Sequence, residues 1–102
     1  MHHYLLWYEI GPDYLERRGE YRMDHLRLAK KYADDGLLIA GGAVDNPLDT
    51  ALILFCAEAP GIVEEFARID PYVTSGIVKS WSVREWKTVA GPLAVQPVPI
   101  EP

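Results

Sequence analysis

The order in which strand-like and helix-like segments follow one another restricts the fold of this chain more than any single motif. Segments rich in aromatic and branched residues predict four strands, at residues 3–9, 37–44, 50–57 and 76–87. Helical spacing of apolar residues predicts helices at 20–35, ending before Gly36, and at 60–69. Asp13 and Glu16 resemble a capping box and predict a separate short helical turn. The order β-α-β-β-α-β predicts an α+β, ferredoxin-like fold with a four-stranded antiparallel sheet and two helices on one face.

The predicted sheet has apolar side chains on both of its faces. In the first strand Tyr4, Leu6 and Tyr8 point to one side, while Leu5 and Trp7 point to the other. Two helices cover only one face, and exposing several large apolar side chains on the other face costs about 25 cal/mol per Å². We therefore expect a homodimer that pairs sheet against sheet.

Composition excludes several classes of protein. The 102 residues predict one domain at residues 1–87, followed by a proline-rich, extended C-terminal arm at residues 88–102. A net charge of −5 argues against nucleic-acid binding. The single cysteine, Cys56, excludes an internal disulfide and fits a reducing compartment. Neither a membrane span nor a signal peptide is predicted, so we expect a cytoplasmic protein without a membrane partner.

His25 lies among apolar residues on the first predicted helix. A wheel of about 100° per residue places it in one arc with Tyr21, Leu28, Ala29 and Tyr32, opposite the charged residues. One interpretation is a core histidine with both ring nitrogens hydrogen-bonded. The other is a general acid–base residue in a partly dry cleft.

Asp70 begins a second polar cluster, "DPYVTSG", directly after the second helix. An Asp-Pro pair is common in turns, but a carboxylate that reached His25 would fix the tautomer of the imidazole. Around this pair, Arg22 is either a surface residue or a ligand for an anionic substrate. Tyr72 and Ser75 are candidate substrate contacts, although a packed turn tyrosine is the simpler interpretation of Tyr72.

Three stretches resemble the YciI-like (YCII-related) family. These are Arg22-x-x-His25, "DDGLLIAGGAV" and "DPYVTSGIVKSWSVREW", and the resemblance extends from the first strand to about Lys87. It implies a small ferredoxin-like α+β protein that dimerises through its sheets as a dimeric α/β barrel.

The same resemblance implies roles for two residues. His25 and Asp70 match the histidine–aspartate pair proposed as the active site of the family, of which one branch comprises dehydrochlorinase lyases acting on chlorinated hydroxyquinols. This chain reads Ala40-Gly41-Gly42 where many members read Ala-Gly-Pro, so we expect a differently shaped pocket rim and carry over no substrate from the family.

Two functions follow from these residues. The first is a cofactor-independent lyase or isomerase in which His25 transfers a proton on a cyclic or unsaturated oxygenated small molecule and Asp70 orients it. The alternative is a non-catalytic, dimeric metabolite-binding or accessory module that uses the same cleft. Three convergent metal ligands are not evident, so no metal site is predicted.

Overall fold

The computed structural model describes residues 1–100 as seven elements around one sheet. The strands are β1 (His2–Ile10), β2 (Leu38–Val44), β3 (Thr50–Ala57) and β4 (Val78–Glu85), and the helices are α1 (Tyr14–Asp34), α2 (Pro60–Ile69) and α3 (Pro71–Thr74). The strand order is β2-β3-β1-β4, and every neighbouring pair is antiparallel. The predicted ferredoxin-like α+β fold is confirmed.

The core lies between the sheet and the helices. Along β1, alternate residues from Tyr4 to Ile10 are buried, as a strand with one covered face requires. The central strand β3 contributes Phe55, whose ring meets Phe66 of α2 edge to face, with 5.2 Å between the ring centroids. Tyr32 of α1 packs against the same two rings. These contacts hold α1 and α2 on the same face of the sheet.

The first helix is longer than predicted, because the expected short turn and the expected helix form one continuous α1 of 21 residues. Gly19 lies in its interior without ending it, since one glycine costs only about 1 kcal/mol relative to alanine there. The capping box is wrong: the Asp13 side chain caps no backbone N–H and instead accepts from the Arg17 guanidinium at 3.1 Å. Gly36 follows the helix with φ of 78°, in the left-handed conformation expected after a helix end.

The short helix α3 was not predicted. Its start follows from the Asp-Pro pair: Asp70 is extended (φ −64°, ψ 123°), as the residue before a proline favours, and Pro71 occupies the first helical turn. The Asp70 carboxylate accepts the backbone N–H of Tyr72 at 3.1 Å and so caps α3. This cap fixes the position of a carboxylate at the end of α2.

The sheet face opposite the helices, called the open face below, has no helix against it within residues 1–100. Its register pairs Leu5 with Leu54 and Trp7 with Leu52, and Trp7 is 46 % exposed. No helix of these residues is long and apolar enough to cross a membrane.

The C-terminal arm is predicted over residues 88–102, of which 101 and 102 lie outside the described residues, and within residues 88–100 the chain turns back on itself. Gly91 has φ of 95°, and the backbone N–H of Val98 donates to the Val89 carbonyl across the turn. The Thr88 hydroxyl lies 2.7 Å from Nδ1 of His3, so the base of the segment is anchored beside β1.

Candidate active site

A cavity of about 260 Å³ lies between α1 and the sheet. One face of α1 supplies Tyr14, Arg18, Arg22 and His25 to its wall, and β2 supplies Gly41 opposite them. A methyl group at Gly41 would come within 3.2 Å of Ile53, so glycine keeps this wall open. The remaining lining is mostly apolar, which suits a small organic molecule.

His25 and Asp70 meet beside this cavity although 45 positions separate them in the chain. Nδ1 of His25 lies 2.8 Å from Oδ1 of Asp70, whose side chain is fully buried, while that of His25 is 15 % exposed. An ionised carboxylate only accepts hydrogen bonds, so Nδ1 carries the hydrogen and Nε2 carries the lone pair. The imidazole is therefore in the tautomer that a general base at Nε2 requires.

Asp70 is held by further donors besides His25. The Tyr8 hydroxyl donates to Oδ2 at 2.6 Å, and the Tyr72 N–H donates to Oδ1. Three donors from three elements fix both carboxylate oxygens, and a buried charge requires such partners. The orientation of His25 is thus built into the packing of β1, α1 and α3.

Tyr72 packs against the face of the His25 imidazole ring. Its ring stacks on that of His25 with 3.9 Å between centroids and 9° between the planes. Burial raises the pKa of the Tyr72 hydroxyl, and the nearby positive charges of Arg22 and Arg18 act in the opposite direction. Its phenol is therefore a neutral hydrogen-bond donor near two cations.

Tyr8 is a member of this network that the sequence did not reveal. Burial, then the negative charge of Asp70 and the hydrogen bond to it, raise the pKa of Tyr8 far above its ordinary value of 10.0. The hydroxyl consequently stays protonated and keeps donating to the carboxylate. The alternation of β1 predicts that Tyr8 faces the helices, but nothing local indicates which side chain it meets.

The other predicted site residues take different positions. Arg22 lines the cavity from an exposed position on α1 and forms no ion pair with Asp70. Ser75 lies outside the cavity wall: its hydroxyl is 3.5 Å from the Tyr72 carbonyl, and its own carbonyl accepts from Arg17. A role for Ser75 in substrate binding stays a prediction, and Ser75 does not line the cavity.

Two cavity residues, Tyr14 and Arg18, were missed. They precede Arg22 on α1 at intervals of four, the spacing that brings helical side chains onto one face. This four-residue spacing was present in the sequence, but a helix predicted to start at residue 20 did not include Tyr14 and Arg18.

His25 and Asp70 are two candidate metal ligands, and within residues 1–100 no third His, Cys, Asp or Glu joins them.

Fold and cavity together define a small ferredoxin-like α+β domain with a partly buried histidine–aspartate contact at the edge of a pocket. The chain belongs to the YCII-related domain family, whose model matches residues 2–87.

Among solved structures, the chain is similar to 5-chloro-2-hydroxyhydroquinone dehydrochlorinase from Burkholderia phenoliruptrix in complex with 2,5-dihydroxybenzoquinone. The two share 20% identity over 84% of this chain and 94% of that chain, with a TM-score of 0.71. At that identity the likeness shows the fold. A search of curated proteins gives no match.

Proposed function

We propose that this protein is a small-molecule lyase or isomerase that needs no cofactor, with His25 as the general acid–base residue. The observation that carries the proposal is the contact of Nδ1 with Asp70, which leaves Nε2 of a cavity-lining imidazole free to accept a proton. The similar dehydrochlorinase supports the choice of a cyclic or unsaturated oxygenated substrate.

The reaction would begin when Nε2 removes a proton from a carbon or hydroxyl group of the substrate. The electron pair left behind forms a new double bond, either by moving into an adjacent carbonyl or by expelling a leaving group from the neighbouring carbon. The imidazolium then returns its proton to another substrate atom in an isomerase, or to solvent in a lyase. Asp70 offsets the positive charge that forms on the ring and keeps the ring in place.

The proposal is tested by measuring proton transfer directly. The panel consists of cyclic enolisable ketones and halogenated hydroxyhydroquinones in D₂O, followed by proton NMR for hydrogen–deuterium exchange and by halide release. We expect at least one compound to react with the wild-type protein and not with His25→Gln. Compounds that bind in the cavity while none undergoes exchange or elimination would instead identify a metabolite-binding module.

We also propose that the open face of the sheet is the interface of a homodimer. Leu5, Trp7, Leu52 and Leu54 place apolar side chains on that face, and none of the helices of residues 1–100 covers it. Burying such a surface in a second copy is the simplest way to remove it from water.

Replacing Trp7 with lysine should convert the dimer to a monomer, because the charged side chain would have to be buried at the centre of the open face. Sedimentation velocity over a concentration series measures the change. Met23→Lys is the matched control, since Met23 is 59 % exposed on α1, away from the sheet. A wild-type protein that sediments as a monomer throughout contradicts this interface.

A further inference from the structure

The cavity has the opposite charge to the chain as a whole. The protein carries a net charge of −5, yet the cavity wall contains two arginines and, within residues 1–100, no aspartate or glutamate, since the Asp70 carboxylate lies behind His25 and outside the wall. A concave, mostly apolar wall strengthens the field of the charges it contains. An anion entering this cavity therefore meets an attractive potential that the composition of the chain does not suggest.

The two arginines, Arg18 and Arg22, are free of carboxylate partners within residues 1–100, whereas other arginines of α1 are paired. Arg17 contacts Asp13 at 3.1 Å and Arg27 contacts Asp24 at 3.0 Å. The unpaired arginines of α1 are the two that face the cavity, one helical turn apart, where like charges repel each other. A bound anion would relieve that repulsion.

Aromatic contacts connect the arginine end of the cavity to His25. The Arg18 guanidinium lies over the Tyr14 ring, 5.6 Å from its centroid. The Tyr14 ring in turn meets Tyr72 edge to face at 5.6 Å. Tyr72 stacks on His25, so a continuous aromatic row connects Arg18 to the imidazole. The distance between Arg18 and the proposed base is thereby defined.

We propose that Arg18 and Arg22 bind the carboxylate of a substrate whose remaining body is a single ring. The guanidinium fork matches a carboxylate with two parallel hydrogen bonds. The helix rise of 1.5 Å per residue puts Arg22 about 4.5 Å and Arg18 about 10.5 Å from His25 along the axis. A cavity of about 260 Å³ is small for a ligand pocket, which fits one ring between the carboxylate and Nε2. This assignment of substrate class rests on the proposed function.

The test compares benzoate with benzamide, which has nearly the same shape and no charge, by amide NMR titration of the full chain. We expect benzoate to bind at least tenfold more tightly to the wild-type protein. Arg18→Gln and Arg22→Gln should each remove most of this difference and leave benzamide binding unchanged. Lys31→Gln is the matched control, because Lys31 is an exposed cation in the last turn of α1 and lies outside the cavity wall. Equal binding of the two probes to the wild-type protein, or Arg→Gln variants that keep the preference, would overturn the assignment.

His25→Gln separates this inference from the proposed function. That variant should retain the preference for benzoate while losing proton transfer. If the wild-type protein prefers the anion but catalyses no reaction, the carboxylate site is supported and the proposed enzymatic function is contradicted. Catalysis without anion preference supports the enzyme and overturns the carboxylate site.

Discussion

Replacing His25 with glutamine is expected to lower kcat/KM by about 10²–10⁴-fold, the range that a positioned general base contributes. The glutamine amide can still donate to Asp70, so the buried carboxylate keeps a partner and the fold is expected to persist. What is lost is the lone pair at Nε2. Steady-state kinetics on a substrate found in the exchange screen measure the effect, with circular dichroism as the check on folding.

His2→Gln is the matched control for this substitution. It also removes an imidazole, but His2 lies at the start of β1 and pairs with Glu85 outside the cavity. Its kinetics should equal those of the wild-type protein. If the His25→Gln variant turns over substrate at the wild-type rate, a group other than His25 is the base.

Replacing Asp70 with alanine is expected to reduce the free energy of unfolding by about 3–5 kcal/mol. The substitution leaves the Tyr8 hydroxyl, the His25 Nδ1–H and the Tyr72 N–H without their acceptor in a fully buried position. It also removes the cap of α3 and opens a cavity. Because a small domain is stable by only about 5–15 kcal/mol, urea denaturation should show a large displacement of the midpoint.

Asp70→Asn and Asp24→Ala separate the parts of this effect. The asparagine keeps an oxygen for Tyr72 and His25 and turns its amide toward the Tyr8 oxygen, so its loss of stability should be smaller. Its loss of turnover should remain large, because the charge that offsets the imidazolium is gone. Asp24 pairs with Arg27 on the surface, and its removal should cost within about 0.5 kcal/mol. A variant Asp70→Ala as stable as Asp24→Ala would contradict the network.

The sequence predicted the fold because each element carries its own local signal. Alternation in β1 and helical spacing in α1 both place apolar residues toward one layer, and the element order leaves few topologies. His25 was found in the same way, since the helical wheel alone puts it on the sheet side. Asp70 lies in a polar turn that does not indicate which side chain it meets, and the resemblance to the family strengthened the hypothesis that it contacts His25.

The misses have two physical origins. Contacts such as Tyr8 with Asp70 depend on sheet register and helix docking, which local patterns do not encode. The start of α1 was misplaced because the short turn expected after Asp13 was separated from the helix expected at residue 20, and the cavity residues of the first turns of α1 were lost with it.

One carboxylate performs two tasks here, since Asp70 both begins α3 and orients His25. The stability of the fold would still require this aspartate in a homologue without catalytic activity. Among related sequences, an aspartate at this position therefore reports that the architecture is retained. The histidine is expected to be replaceable at little cost in stability and its proposed role is chemical, so under this proposal it is the better marker for separating catalytic members from non-catalytic ones.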